Sequence, residues 1–383
     1  MTLAGKTVLV VGGGIGGLAA AVALRDRGAD VTVLEQAGAF REVGAGVQIS
    51  PNGARVLQAL GVDMAQLGQR AEGVTLRNAK GAQVLQMASP PTGAGFHLVH
   101  RADCVAALAA RAEGVKTQFN AQVVAVDPQA GRVTLSGGST LDADLVVGAD
   151  GLHSVMRAAI NGHAKPFFTG QVAWRALIPG NPDDAAEAQV FMGPGRHLVS
   201  YPLRGGSLRN IVAVEERKAW AEEGWNHPDD PANLRLAFAG FGGPVPEWLA
   251  QVDKVYLWGL FRHKVAAHWH GGHAVLLGDA AHPTLPFMAQ GANMALEDAY
   301  TLALELDRAP DLPTGLTAYQ AVRRNRVLRV VEAANRNARN YHLRAPIAPL
   351  AHIALRLSQR IVPDAPLRQF GWIYDHDATE GAA

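Results

Sequence analysis

Gly12-Gly13-Gly14-Ile15-Gly16-Gly17 satisfies G-x-G-x-x-G, between an apolar β-branched run, Lys6–Val11, and an Ala/Leu-rich stretch, Leu18–Arg27. In that strand–turn–helix setting the spacing has a mechanical meaning. Gly12 permits the tight turn, Gly14 lets a diphosphate approach the backbone beside Ile15, and Gly17 lets the helix pack on the strand. The N–H groups and partial positive charge of the helix N-terminus then favour the phosphates. A second strand, Asp30–Leu34, closes on Glu35. A carboxylate there accepts hydrogen bonds from both hydroxyls of a ribose. The pattern reads as an adenine dinucleotide site and leaves open which dinucleotide.

A second constellation lies late in the chain. Gly278-Asp279-Ala280-Ala281-His282-Pro283 follows a buried strand, Ala274–Leu277. Pro286 and Gln290-Gly291-Ala292-Asn293 then lead into a helix carrying Glu297 and Asp298. Prolines and glycine shape a rigid loop that delivers a helix N-terminus, which stabilises negative charge. A reduced flavin is anionic at its pyrimidine end and suits that geometry, with Asp279 at the strand end placed to hold a ribityl hydroxyl.

Together with Gly148-Ala149-Asp150-Gly151-Leu152-His153-Ser154-Val155-Met156-Arg157, these strings resemble the three motifs of the single-component FAD-dependent aromatic hydroxylases. The salicylate hydroxylase and 3-hydroxybenzoate 6-hydroxylase branch is the nearest in pattern, and the likeness spans nearly the whole chain. The resemblance implies non-covalent FAD, NADH or NADPH as a transient electron donor, and insertion of one oxygen atom of O2 into an electron-rich ring through a flavin C4a-hydroperoxide. It implies cofactor contacts at Gly12, Gly14, Ile15, Gly17, Gly291, Ala292 and Asn293. It also gives Glu35 the adenosine ribose, Arg101 and Asp279 the FAD, Asp150 and Arg157 the motif shared by FAD and pyridine nucleotide, and Pro286 the reactive flavin edge. One departure is Ala289, where P-x-x-G-Q-G is the commonest family pattern; it reads as a branch marker, and Ala there costs strain if the backbone needs φ > 0. No second dinucleotide fingerprint exists: Gly240-Phe241-Gly242-Gly243 runs into Pro244 without a strand-to-helix context.

Hydroxylation of a phenol calls for a base with a pKa near the working pH, and histidine is the natural choice. Among 14 histidines, His197 stands on a predicted strand with Tyr201, and a spacing of four puts both on one sheet face. A His and a Tyr at this spacing contact the substrate phenol in the 3-hydroxybenzoate 6-hydroxylases, so His197 is expected as base and Tyr201 as its orienting partner. Gln48 is a further candidate for the substrate pocket. Trp174 and Arg175 are neighbours on a strand and face opposite sides: one of them would line the pocket, Arg175 against a carboxylate or Trp174 as a wall. Arg41, soon after the Glu35 strand, is a candidate near flavin or substrate.

Other features read more blandly. His268, His270 and His273 lack a nearby carboxylate or Cys, so a turn is favoured over zinc and no metal is expected. Arg323-Arg324-Asn325-Arg326 reads as a solvated helix face. Thr7–Leu24 is uncharged and long enough to suggest a membrane span or leader, but its five glycines favour strand, turn and helix. The single Cys104 excludes a disulfide framework and fits a reducing compartment, so a cytoplasmic location is expected. Charge nearly cancels, at 35 Lys+Arg against 34 Asp+Glu, which argues against a nucleic-acid partner.

The elements that must position these groups form an α/β chain. A doubly wound, Rossmann-like FAD domain is expected from 1–70, 100–165 and 266–345. An antiparallel β-sheet substrate domain is expected from 71–99 and 166–265, with a helical tail over 346–383. The expected activity is hydroxylation of a salicylate- or hydroxybenzoate-like acid by a monomer or homodimer with no membrane partner. Two alternatives stand beside it: the same chemistry on a hydroxynicotinate- or urate-like ring, and a flavin-bearing sensor that hydroxylates nothing.

Overall fold

The computed structural model describes residues 3–40, 46–89, 93–217, 227–362 and 368–380. Along the chain the elements used below begin with β1 (Thr7–Val11), α1 (Ile15–Arg25), β2 (Asp30–Leu34), β3 (Gly46–Ile49) and α2 (Pro51–Ala59). Then come β4 (Gly73–Asn78), β5 (Gln83–Ala88), α3 (Arg101–Arg111), β6 (Leu145–Gly148) and β7 (Phe167–Pro179). β8 (Glu187–Gly193), β9 (Arg196–Leu203), β10 (Leu208–Glu216) and β11 (Val255–Arg262) follow. The chain continues with β12 (Ala274–Leu276), α4 (Gly291–Arg308), α5 (Leu312–Tyr341) and α6 (Ile347–Ile361).

β1, apolar at every position after Thr7, pairs in parallel with β2 on one side and β6 on the other, and β6 pairs with β12. Short strands at Lys116–Gln118 and His270–Gly271 complete a sheet of six. Such buried parallel strands read as continuous apolar runs, and ligands settle in the crevice at their carboxyl ends. α1 is buried along nearly its whole length against this sheet and α4. Thr7–Leu24 is therefore strand, turn and helix, and no described helix is long and apolar enough to cross a membrane. At the turn, Gly12 has φ +106°, and a Cβ there would lie 2.5 Å from the Ala149 carbonyl oxygen. A Cβ on Gly17 would lie 1.9 Å from the Gly12 oxygen. Both glycines are sterically obligatory.

The second sheet has eight strands, including β11-β7-β10-β9-β8-β4-β5 in spatial order. Its neighbours are antiparallel with one exception: β8 and β4 run parallel, because 73–88 reach this sheet from a point in the chain upstream of its main body. One face packs Trp174, Phe191, Leu198 and Ile211 against Phe238 and Leu249 from two short helices. The other face turns toward β3, the loop after β12, and α5.

Arg323 corrects the reading of a solvated α5 face: it is fully buried, pairing with Glu297 at 2.6 Å and Asp298 at 2.7 Å from α4. Arg326 adds a second pair to Glu297 at 2.7 Å. Burial opposes ionisation of both carboxyls, yet Arg323 and Arg326 hold Glu297, and His282 and Arg323 hold Asp298, at a pKa of about 2. Asp298 also accepts from the Gly278 N–H and pairs with His282. The cluster thus fixes the loop after β12 to both helices.

Candidate active site

Two helix N-termini open on one cleft of 270 Å³. Gly14, Ile15 and Gly16 bring the start of α1, and Gly291 and Ala292 bring the start of α4. Neither helix is capped by a side chain at its N-terminus. Each start therefore presents positive dipole character to the cleft, suited to anionic groups at two separate points. Between them stands Asp279, deep among neighbouring atoms yet exposed to the cleft. Burial raises its carboxyl pKa, while His282 and Arg101 oppose that rise. Arg101, at the start of α3, lines the same cleft.

Glu35 takes the Gly13 N–H at 2.7 Å on one oxygen and the Ala37 N–H at 2.8 Å on the other. A carboxylate has about four lone-pair sites, so ribose hydroxyls can still be accepted. Asp150 accepts the Met156 N–H at 3.2 Å, and its Oδ1 is buried without a hydrogen-bond partner. A buried polar atom left in that condition is costly unless a bound group satisfies it. The obligatory glycines, the two uncapped helix starts, Asp279 and this orphan oxygen fit a diphosphate-bearing cofactor with hydroxylated linkers.

Two of the expected cofactor residues spend their side chains on protein. Arg157 spends its guanidinium on the carbonyls of Ala280 and Ala281, both at 3.0 Å, and of Lys264 at 2.6 Å. It braces the Asp279 loop and does not line the cleft. Asn293 is fully buried: its amide donates to the carbonyls of Gln48 at 3.0 Å and Ala289 at 2.7 Å and accepts the Ser50 N–H at 3.0 Å. Its side chain locks β3 to the start of α4 and is committed entirely to protein. Arg41 lies outside the described residues.

His197, Tyr201 and Arg175 all face the cleft from the second sheet, with Gln48 and Pro286 across from them. Trp174 is a correction: it points the other way, fully buried, its indole N–H donating to Asp229 at 2.6 Å. Strand alternation allowed one of the pair at the cleft, and it is Arg175, which lies 4.6 Å over the Trp258 ring. Pro286 begins a short 3-10 turn ending at Ala289, which adopts φ +52° and ψ +32°. The position does require the left-handed region, so Ala carries strain where Gly is usual.

The sequence did not disclose what lies behind His197. Its Nδ1 is 2.7 Å from His342 Nε2, and His342 Nδ1 is 2.9 Å from Glu216 Oε1. Glu216 is 42% exposed and also pairs with Arg344 at 3.2 Å. Because an ionised carboxylate only accepts, His342 Nδ1 carries a proton and its Nε2 accepts from His197 Nδ1–H. That tautomer leaves His197 Nε2 as a lone pair. Burial, reinforced by His342, pushes the His197 pKa well below 6.5, so the ring is neutral at neutral pH. Burial raises the Tyr201 pKa, against Arg175 and Arg101, so its hydroxyl keeps its proton. Among the described residues no group of three or more His, Cys, Asp or Glu is arranged to hold a metal ion. His273 instead bonds the Asp144 carbonyl at 2.8 Å.

A second cavity, of 740 Å³, adjoins the first. Gln48, Val199, Pro286 and Ala289 line both.

Comparison with known proteins is consistent with this geometry. A protein-family profile described as an FAD binding domain matches residues 6–334. The chain is 37% identical to 3-amino-4-hydroxybenzoate 2-monooxygenase of Streptomyces cremeus, covering 88% of each chain. It is 34% identical to 3-hydroxybenzoate 6-hydroxylase of Polaromonas naphthalenivorans, again covering 88% of each. Among solved structures, a salicylate hydroxylase substrate complex superposes with a TM-score of 0.82 at 25% identity, covering 98% of this chain and 96% of that one. Klebsiella pneumoniae HpxO complexed with FAD and uric acid gives 0.83 at 26% identity, covering 94% and 95%.

Proposed function

The chain belongs to the FAD-binding-domain family of flavin-dependent aromatic monooxygenases, and from that premise we propose that it hydroxylates a small phenolic acid of the hydroxybenzoate class. The observation that carries this reading is the convergence of a neutral, tautomer-fixed His197, a protonated Tyr201 and a cationic Arg175 on the cleft that also holds Asp279 and both helix starts. The six-stranded sheet with α1 and α4 is the cofactor-binding unit. The eight-stranded sheet supplies the groups that address the ring.

In this reading the α1 start takes the diphosphate, Glu35 the adenosine ribose, Asp279 the ribityl chain, and the backbone of Gly291 and Ala292 the pyrimidine end. When bound, FAD supplies the oxygen chemistry, being reduced by NADH or NADPH and then activating O2. Arg175 holds the substrate carboxylate and Tyr201 hydrogen-bonds the phenol. His197 Nε2 removes the phenolic proton, which makes the ring nucleophilic. The resulting positive charge is shared along the chain: His197 Nδ1–H moves toward His342 Nε2, and His342 Nδ1–H toward Glu216 at the surface. Pro286 and Phe287 exclude water beside the ring.

The experiment is a panel of hydroxybenzoates, hydroxynicotinates and purines, with NADH consumption and product mass recorded together. Substrate-stimulated oxidation with a hydroxybenzoate product plus one oxygen is expected. Product only from the heterocycles would move the substrate class, and NADH oxidation without any oxygenated product would remove the hydroxylase reading. His197→Ala is expected to keep the yellow colour and lose turnover.

A further inference from the structure

The 740 Å³ cavity stands toward the upper end of the range of about 300–1,000 Å³ that accommodates drug-sized ligands. A ring with one carboxylate and one hydroxyl does not need it. Of the residues assigned above to FAD only Pro286, at the reactive flavin edge, lines this cavity among the described residues, so the cofactor would meet it at its mouth and not fill it. It begins where the ring would react, at the shared residues Gln48, Val199, Pro286 and Ala289. From there it runs along the sheet face over β8, β4 and β5, under α5 and α6. Its floor is Val74, Leu76, Leu85, Val190 and Met192, from three neighbouring strands. Its roof presents Ala333 and Tyr341 from α5 and Ala351 and Leu355 from α6. Among the described residues no acidic side chain or lysine lines it; the Arg336 guanidinium pairs with Glu332 at 3.0 Å, and burial lowers the pKa of His352, so that its ring is neutral at neutral pH. Arg175, the carboxylate partner assigned above, lines the cleft and not this cavity.

This division of chemistry is that of a bipartite substrate. We propose, building on the hydroxylase reading above, that the substrate is a hydroxylated aromatic acid carrying an apolar arm, alkyl or aryl. The ring reacts beside His197 and Pro286, while the arm lies between the β8-β4-β5 floor and the α5-α6 roof. Burial of each methylene on that floor adds a constant increment to binding, so kcat/KM rises about three- to fourfold per carbon until the cavity is filled.

The test uses the FAD-loaded full chain and a homologous series: a hydroxybenzoate and the same ring with butyl and octyl arms, with NADH oxidation and product mass recorded for each. The expected result is a gain of about 80- to 250-fold for the butyl arm, falling mainly on KM. Ala351→Trp, on the roof, and Val190→Phe, on the floor, are expected to erase the gain while leaving turnover of the unsubstituted ring and the flavin colour as in the native chain. If the unsubstituted ring is hydroxylated and the arms give no advantage, the arm proposal is overturned and the hydroxylase reading stands. A gain that survives both substitutions overturns it as well. Octanoate that binds as tightly as the arm-bearing ring, without competing against it, would assign the cavity to a separate lipid and likewise overturn it. If no ring of either kind is oxygenated although FAD binds and NADH reduces it, the hydroxylase reading itself fails.

Discussion

His342 touches neither ring nor cofactor in this arrangement, yet its replacement should be felt at the reacting atoms. His342→Leu removes the acceptor that fixes the His197 tautomer and severs the path to Glu216. A hydrogen bond that becomes charge-assisted when His197 is protonated contributes about 1.5–3 kcal/mol, so the hydroxylation step should slow by roughly 10- to 150-fold. That lies at or below the lower end of the roughly 10²–10⁴-fold that general base catalysis supplies as a whole, as a residue acting through the base should. The loss belongs to kcat, because His342 makes no substrate contact, and KM should change little. His342→Gln is the informative control: its amide oxygen can still accept from His197 Nδ1–H, but it passes no proton onward. It should restore part of the rate while abolishing any solvent deuterium effect that reports the relay. Single-turnover stopped-flow, started with reduced enzyme and oxygenated substrate, separates this step from flavin reduction. Because His197 is held neutral well below pH 6.5, the acid limb of kcat/KM should fall below that value in the native chain. A Leu variant that is yellow, folded and within twofold of native in single turnover would refute the relay.

Other outcomes follow from geometry already described. Asp279→Ala should weaken FAD binding by about tenfold through loss of a hydrogen-bond acceptor in the cleft, measured by flavin fluorescence titration. Ala289→Gly should relieve part of the left-handed strain, about 0.5–1 kcal/mol after the entropy of glycine is subtracted, and raise the thermal midpoint. Glu297 and Asp298 have folded pKa values of about 2, below their unfolded values, so their contribution is complete above about pH 5 and is lost as pH falls toward 2. Arg323→Leu strands both carboxylates in the interior and should cost about 3–5 kcal/mol, seen as an acid unfolding midpoint moved to higher pH. Trp174→Phe should lower stability through the lost Asp229 bond and leave kcat/KM unchanged, since the side chain lies behind the sheet.

What the sequence discloses and what it conceals divide along physical lines. The β1-α1-β2 unit was legible because strand, turn and helix follow one another in sequence and Gly17 is forced by the nearby Gly12 carbonyl, and the place of Glu35 because it ends the adjacent strand. The shared face of His197 and Tyr201 followed from strand alternation alone, as did the opposition of Trp174 and Arg175; only tertiary packing could say which of that pair meets the cleft. Arg323 misled because a basic helix face is silent about a neighbouring helix that brings Glu297 and Asp298. The side-chain partners of Asn293 were hidden because a helix-start amide looks the same whether it meets a cofactor or the backbone of β3. His342 and Glu216 lie 145 and 19 residues from His197, and no periodicity links a helix end to two strands. The parallel pairing of β8 with β4 was hidden for the same reason, since register between distant segments leaves no local mark.

The ion cluster on α5 has a further consequence. That helix is a single rod of 30 residues, and its middle is anchored at Arg323 and Arg326 while its last three turns overlie the apolar cavity. Changes at Ala333, Asn337 or Asn340 can therefore reshape the guest chamber without loosening the end that steadies Asp298 and the Asp279 loop. A lineage built on this plan can drift in what it accepts while its redox machinery stays fixed.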